Sequence, residues 1–203
     1  LFRSLFEKED DGMSSGSGLT GDWERAIRLL SNNPVKKAID IARNRIGIVG
    51  ASMVKKGIRD GAPGGKEFAP LSPFTIWMRS NFSTKPLIDH GDLLGSITHE
   101  LSGNSGVWIG ARRGVRTKDG QDVVDIEDVH EYGRTIKVTD KMRRGFAARW
   151  KSIDGEGWGI RKETKYIVIP ERSFLRATFD RDEFQMMKVQ KTAEAMKKVL
   201  HLA

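Results

Sequence analysis

The chain has 203 residues, 38% hydrophobic and 31% charged, with a formal net charge of +8 and a pI near 9.8. That length suits one domain, or one domain with extensions, with a core beneath a heavily charged surface. The absence of cysteine excludes disulfides, thiolate metal sites and cysteine nucleophiles, and no apolar run is long enough to cross a bilayer.

Residues 1–21 read as an arm: apolar LFRSLF, acidic EKEDDG, then the Ser/Gly-rich tether MSSGSGLTG. Its opening lacks the basic-then-apolar pattern of a secretory signal, and a cysteine-free chain fits a reducing cytoplasm. Residue 1 is not Met, and Met13 is an alternative start. Residues 22–203 read as a single α+β domain. Asp22 to Ser31 is expected to be helical, with Trp23, Ala26, Ile27 and Leu30 on one face. After SNNP interrupts it, Asn33 can cap and Pro34 can open a long helix to about Arg59. Its apolar positions are Val35, Ala38, Ile39, Ala42, Ile46, Val49, Val54 and Ile58. Gly47, Gly50 and Gly57 weaken it by up to about 1 kcal/mol each relative to Ala, and permit close packing or a kink.

DGAPGGKEFAP is a loop, and Ser72–Pro73 starts a short helix. The period then changes to two. SITHEL places Ile97, His99 and Leu101 on one side, against Thr98 and Glu100. GVWIGA is its expected hairpin partner through SGNSG. ARRGVRTKDGQD reads as a flexible basic loop, and RTIKVT as a strand. Thr139 or Asp140 caps a helix bearing Met142, Phe146 and Trp150. DGEGWG is a loop, and KYIVIP is a strand stopped at Pro170. Ser173 to about Leu200 is helical with a break near Asp180 to Asp182, and its second half offers Met187, Ala193, Met196 and Leu200 as a packing stripe. The sum is α+β: a small, mostly antiparallel sheet packed against a long N-terminal helix and a C-terminal helix.

The side chains that bind metals and move protons concentrate in KPLIDHGDLLGSITHE: Asp89, His90, Asp92, His99 and Glu100. His90 and His99 lack helical metal-site spacing, and Asp89 and Asp92 fit Asx-turn and helix-cap roles. His130 and Glu131 are neighbours in sequence, but no G-x-S-x-G accompanies them. His130 is expected to be a buried or interface histidine, hydrogen-bonded where the chain turns into the RTIKV strand. GAPGGKE and DGEGWG lack the context of a nucleotide-binding loop. Two basic clusters remain. Arg112, Arg113, Arg116 and Lys118 crowd one loop, without interleaved aromatics. Lys137, Lys141, Arg143, Arg144, Arg149 and Lys151 crowd the strand and helix beyond it. Such clusters suit sequence-independent phosphate contact, or a solvated or protein-facing surface.

Four segments occur in order: EFAPLSPFTIWMRS, KPLIDHGDLLGSI, VHEYGRTIKVTDKMR and YIVIPERSFLRATF. Together they resemble the phage virion-morphogenesis family of tail-completion and neck proteins over roughly residues 35–185. The matching residues are Phe68, Pro70 and Leu71; Lys85, Pro86, Leu87, Gly91 and Leu93; His130 and Gly133; and Ile169, Pro170, Arg172, Phe174 and Leu175. The chain departs from the pattern at His90, where Thr or Ser is common, and at Ser173, where Pro is common. The resemblance implies a non-enzymatic virion protein without cofactor or metal, assembled in the host cytoplasm. It implies a ring, commonly of six subunits, at the head–tail junction, bound to neck, connector and tail proteins around the genomic DNA. On that reading Arg112, Arg113, Arg116 and Lys118 are candidates to line the channel. Pro86 and Gly91 set a turn, Leu87, Leu93, Phe174 and Leu175 anchor, and Arg172 meets a carboxylate within or between subunits. A sequence-independent nucleic-acid-binding module and another tail or baseplate component are the alternatives. A hydrolase using Asp89, His90 and His99 is a further one.

Overall fold

The computed structural model describes residues 33–79, 83–103, 106–118, 120–151 and 160–200, without the side chains of 149–151. The arm, the expected Asp22–Ser31 helix, the DGEGWG loop and the side chain of Trp150 lie outside the described residues. The fold is α+β.

Helix α1 (Pro34–Asp60) is the spine. The Asn33 side chain accepts from Lys36 N–H at 3.1 Å, and Gly61, at φ 75°, closes the helix by donating to the Gly57 carbonyl. Its buried positions are mostly small: Ala38, Ala42, Gly47, Gly50, Ala51 and Gly57, beside Val54 and Ile58. Val35 and Ile39, expected on the packed face, are more than a third exposed. Small residues win that face because side chains from other elements enter the helix surface. A Cβ on Gly47 would lie 2.3 Å from His99 Cδ2, and one on Gly50 would lie 2.6 Å from Ile109 Cδ1 and 3.1 Å from Phe184 Cε2.

After α2 (Pro73–Met78), capped by Ser72, the short α3 (Asp92–Ser96) leads into a hairpin. Strand β1 (Ile97–Ser102) pairs antiparallel with β2 (Gly106–Ala111), placing Ile97 opposite Ala111, His99 opposite Ile109 and Leu101 opposite Val107. This face lies on α1, and His99 Nε2 is 3.0 Å from Asn44 Oδ1. The buried Arg43 of α1 holds the hairpin turn: it donates to the carbonyls of Ser102, Gly103 and Gly106 and pairs with Asp40 at 3.0 Å.

Helix α4 (Val123–Tyr132) was not expected from the sequence. Its β-branched run VVDIEDV disfavours a helix locally. Asp122 nevertheless caps it, accepting from Val124 N–H at 2.9 Å, and Val123 is fully buried. Gly133, at φ 70°, then turns the chain sharply; a Cβ there would meet Ile169 O and Glu171 N at 3.1 Å. Strand β3 (Arg134–Lys137) therefore runs against β4 (Tyr166–Ile169), with α5 (Asp140–Lys151) between them in sequence. The result is two separate two-stranded ladders in place of one sheet.

The C-terminal break falls where expected, between α6 (Leu175–Phe179) and α7 (Asp182–Leu200). Helix α7 packs along α1 through Phe184, Met187 and Ala195. Ala193, expected on this stripe, is exposed, because six residues beyond Met187 is about 240° around the helix.

Gly50→Ala is expected to lower stability by about 1–3 kcal/mol in urea denaturation, because overpacking against Ile109 and Phe184 outweighs the gain in helix propensity. Gly145→Ala in α5, where a Cβ meets nothing within 4 Å, is expected to be stabilising by roughly 0.5–1 kcal/mol.

Candidate functional site

The four sequence segments singled out above meet around the end of α4. Glu131, only 3% exposed, projects at the chain that enters α6. It accepts from Ser173 Oγ at 2.6 Å, from the N–H groups of Phe174, Leu175 and Arg176 at 2.9, 3.0 and 2.9 Å, and from Arg176 Nε at 3.2 Å. Burial pushes its carboxyl pKa upward. The Ser173 hydroxyl and the N–H groups of Arg176, Leu175 and Phe174 outweigh that and hold it below the ordinary value.

The next residue back joins the same junction. The His130 carbonyl accepts from Arg172 N–H at 2.7 Å. Arg172, 5% exposed, donates from Nε to the Ala69 carbonyl at 2.7 Å and from Nη2 to the Pro70 carbonyl at 2.9 Å. The sequence reading paired Arg172 with a carboxylate; its guanidinium instead clamps two carbonyls of the loop before α2. Phe174 is fully buried beneath it, Pro170 is exposed at the end of β4, and Leu71 is half-buried.

On its other side His130 borders a cleft of about 150 Å³ lined by Arg79, Leu87, Asp89, His90, Gly91, Asp92, Leu93 and Gln121, among others. Arg79 Nη1 organises the loop, lying 3.0, 2.7 and 3.0 Å from the carbonyls of Ser83, Lys85 and Ile88. Leu87 and Leu93 are buried, and Pro86 is half-buried. The positive φ values here belong to Leu87 (62°) and Gly91 (89°), and Gly91 occupies the cap position of α3. Asp92, expected as that cap, is the first helical residue and makes no capping hydrogen bond. Asp89 Oδ2 lies 3.6 Å from His90 Nδ1. Thus Asp89, His90, Asp92 and His130 share a cleft, whereas His99 faces α1 and Glu100 lies on the opposite face of the hairpin. Among the described residues no group of three or more His, Asp or Glu is arranged to hold a metal ion.

His130 Nδ1 is shut off from solvent without a hydrogen-bond partner among the described residues. Burial, with the charges of Arg172 and Arg79, lowers its pKa from 6.5 to about 4. The imidazole is therefore neutral near pH 7.

The two basic clusters part company in the fold. Arg112, Arg113, Arg116 and Lys118 are all exposed, and backbone hydrogen bonds run across the loop that carries them. Arg112 N–H donates to the Ser96 carbonyl, Thr117 N–H to Gln121, Gly120 N–H to Thr117 and Val123 N–H to Val115, so that the backbones of Arg116 and Asp122 pair as a β-bridge. In the second cluster Arg143 is directed inward, donating to the carbonyls of Ile160, Arg161 and Thr164. Lys137, Lys141 and Arg144 remain exposed, and the side chains of Arg149 and Lys151 lie outside the described ones.

Sequence reasoning missed Arg43 and Glu127, and met Glu131 only as the neighbour of His130. Glu127 Oε2 accepts from Ala111 N–H at 2.6 Å, tying α4 to the end of β2, and burial raises its pKa. The available signal was Asp122 before Val123 and Ile126, a cap ahead of helically spaced apolar residues. No protein-family model, curated protein or solved structure matches the chain.

Two outcomes follow from this junction. Glu131→Gln is expected to cost about 3 kcal/mol or more in urea denaturation, since it sets an amide among groups that all donate. For His130, the unfolded chain takes up its proton at higher pH than the folded chain does. Stability therefore falls as pH drops from about 6.5 to about 4, by roughly 3 kcal/mol from this group. Urea midpoints between those pH values should flatten in His130→Leu; the loss from Glu131 comes lower, below the ordinary carboxylate value.

Proposed function

We propose that this chain is a non-enzymatic structural subunit of a phage virion. It forms a ring at the head–tail junction, as a tail-completion, tail-terminator or neck protein, and joins connector to tail around the DNA. The observation that carries the reading is spatial. The four segments of the resemblance, scattered from Phe68 to Leu175, meet in one junction: Arg172 binds the carbonyls of Ala69 and Pro70, its N–H binds His130, and His130 borders the Leu87–Leu93 loop. Residues that matter only together in space account for an array whose separate motifs are each weak.

The surface supports assembly. Tyr166 and Val168, 56% and 68% exposed, lie two residues apart on one face of β4, and the β3–β4 ladder has no third strand among the described residues. Met186 and Val189, 66% and 71% exposed, lie on α7 away from its buried stripe. Side chains of this kind suit contacts between subunits.

Native mass spectrometry is expected to find a closed oligomer, and density maps of particles should place it at the upper end of the tail. A monomer at all concentrations, absent from particles, overturns the reading. Tyr166→Lys with Val168→Asp is expected to shift the oligomer toward monomer while leaving the unfolding free energy of the monomer in urea within about 0.5 kcal/mol, as for other exposed positions.

A further inference from the structure

We infer that the loop carrying Arg112, Arg113, Arg116 and Lys118, together with Trp108, is the surface that meets nucleic acid, the cations on phosphates and the indole on a sugar or base.

Three observations carry this. First, no described residue pairs with these cations. Elsewhere Arg43, Arg79, Arg143, Arg172 and Arg181 donate to loop carbonyls, and Arg45, Lys56, Arg134, Arg176 and Lys191 pair with carboxylates. Arg112, Arg113, Arg116 and Lys118 are exposed and form no ion pair with a described residue.

Second, backbone hydrogen bonds tie the loop together. It starts from the Arg112 N–H bond to Ser96 and is closed by a backbone β-bridge between Arg116 and Asp122, made by the Thr117–Gln121 and Val123–Val115 hydrogen bonds. Cations on an ordered turn lose less freedom on binding than cations on a loose loop.

Third, an aromatic lies beside them, four residues before Arg112 in the chain. Trp108, on the outward face of β2 and 39% exposed, borders a cleft of about 360 Å³ with Arg112, Arg113, Glu100, Leu101 and Ser102. Its ring rests on Gly110, where a Cβ would lie 2.8 Å from Cζ2, which holds the indole against the strand. Cations beside an aromatic surface suit a nucleic-acid strand, the cations taking phosphates and the ring taking a sugar or base face. The Glu100 carboxylate in the same cleft repels phosphate and can accept from a base amine.

This inference rests on the ring reading for its choice of nucleic acid over an acidic protein, and names the part of the subunit that faces the genome. The test titrates the full chain with a short labelled duplex and with the matching single strand, from about 50 to 200 mM salt. Two charge-matched variants accompany it: Arg112→Ala/Arg113→Ala/Arg116→Ala/Lys118→Ala, and a control with Lys36, Lys37, Lys197 and Lys198 changed to Ala, all exposed. Each phosphate contact contributes about 0.9 to the slope of log affinity against log salt, so the loop variant should flatten the duplex slope by about three to four and the control by less than one. Trp108→Ala should weaken the single strand roughly fivefold or more, because stacking on one base is worth on the order of a decade.

Native mass spectrometry of the same samples separates this inference from the ring reading. A flattened slope with the ring intact supports both. A flattened slope in a chain that forms no ring supports the nucleic-acid surface and removes the ring. Equal effects of the two charge variants, no binding by the parent chain, or a loop variant that loses its ring while keeping its slope overturn the inference; the last result assigns the loop to a protein neighbour.

Discussion

A carboxylate removed from water must find donors for both oxygens, and Glu131 finds them all in one stretch of chain. The backbone N–H groups of residues 174–176 are those that a helix leaves unpaired at its start. One side chain on α4 thereby satisfies the opening of α6 and sets the direction from which the chain approaches α7. Helix α7 in turn covers α1, so the outer helices of the fold hang on a charge buried near its middle. A carboxylate suits this place because every partner donates and none accepts.

The same economy governs the arginines. Loops break backbone pairing, and their carbonyls need donors wherever they run against the core. Arg43, Arg79, Arg143, Arg172 and Arg181 supply them, each reaching back to a loop from another place in the chain or from its flank. A guanidinium has several N–H groups in a fixed fork and can serve adjacent carbonyls together, which an ammonium does less well. Part of the basic composition is therefore internal carpentry, and net charge overstates the charge available to a partner. Once these side chains are set aside, the exposed cations of residues 112–118 are among those left for a partner.

An assembly subunit needs a rigid body and adhesive edges. Rigidity comes from glycines and alanines on α1, which let His99, Ile109 and Phe184 sink into the helix surface. Tyr166, Val168, Met186 and Val189 stay exposed, with no described core residue covering them, where the proposed assembly would use them. The separation of the two ladders contributes to this: β3 and β4 carry their apolar side chains on a ribbon of their own, away from the hairpin that α1 covers.

Sequence by itself determined the helices and strands whose signals are local. Asn33–Pro34, Ser72–Pro73, the alternation of Ile97, His99 and Leu101, and the break before Asp182 all marked their elements, because caps and periodicity act within a few residues. It also showed four segments that belong together, without showing why. Only the tertiary structure decided that VVDIEDVHEY is a helix, because its β-branched residues prefer extended backbone until Val123 and Glu131 are buried. The fold likewise decided that Arg172 holds carbonyls, that the ladders are two, and that Trp108 stands beside Arg112 and Arg113. The Arg172 clamp and the β3–β4 ladder are pairings across tens of residues. Local chemistry supplies the donors and acceptors, and only the closed fold chooses which of them meet.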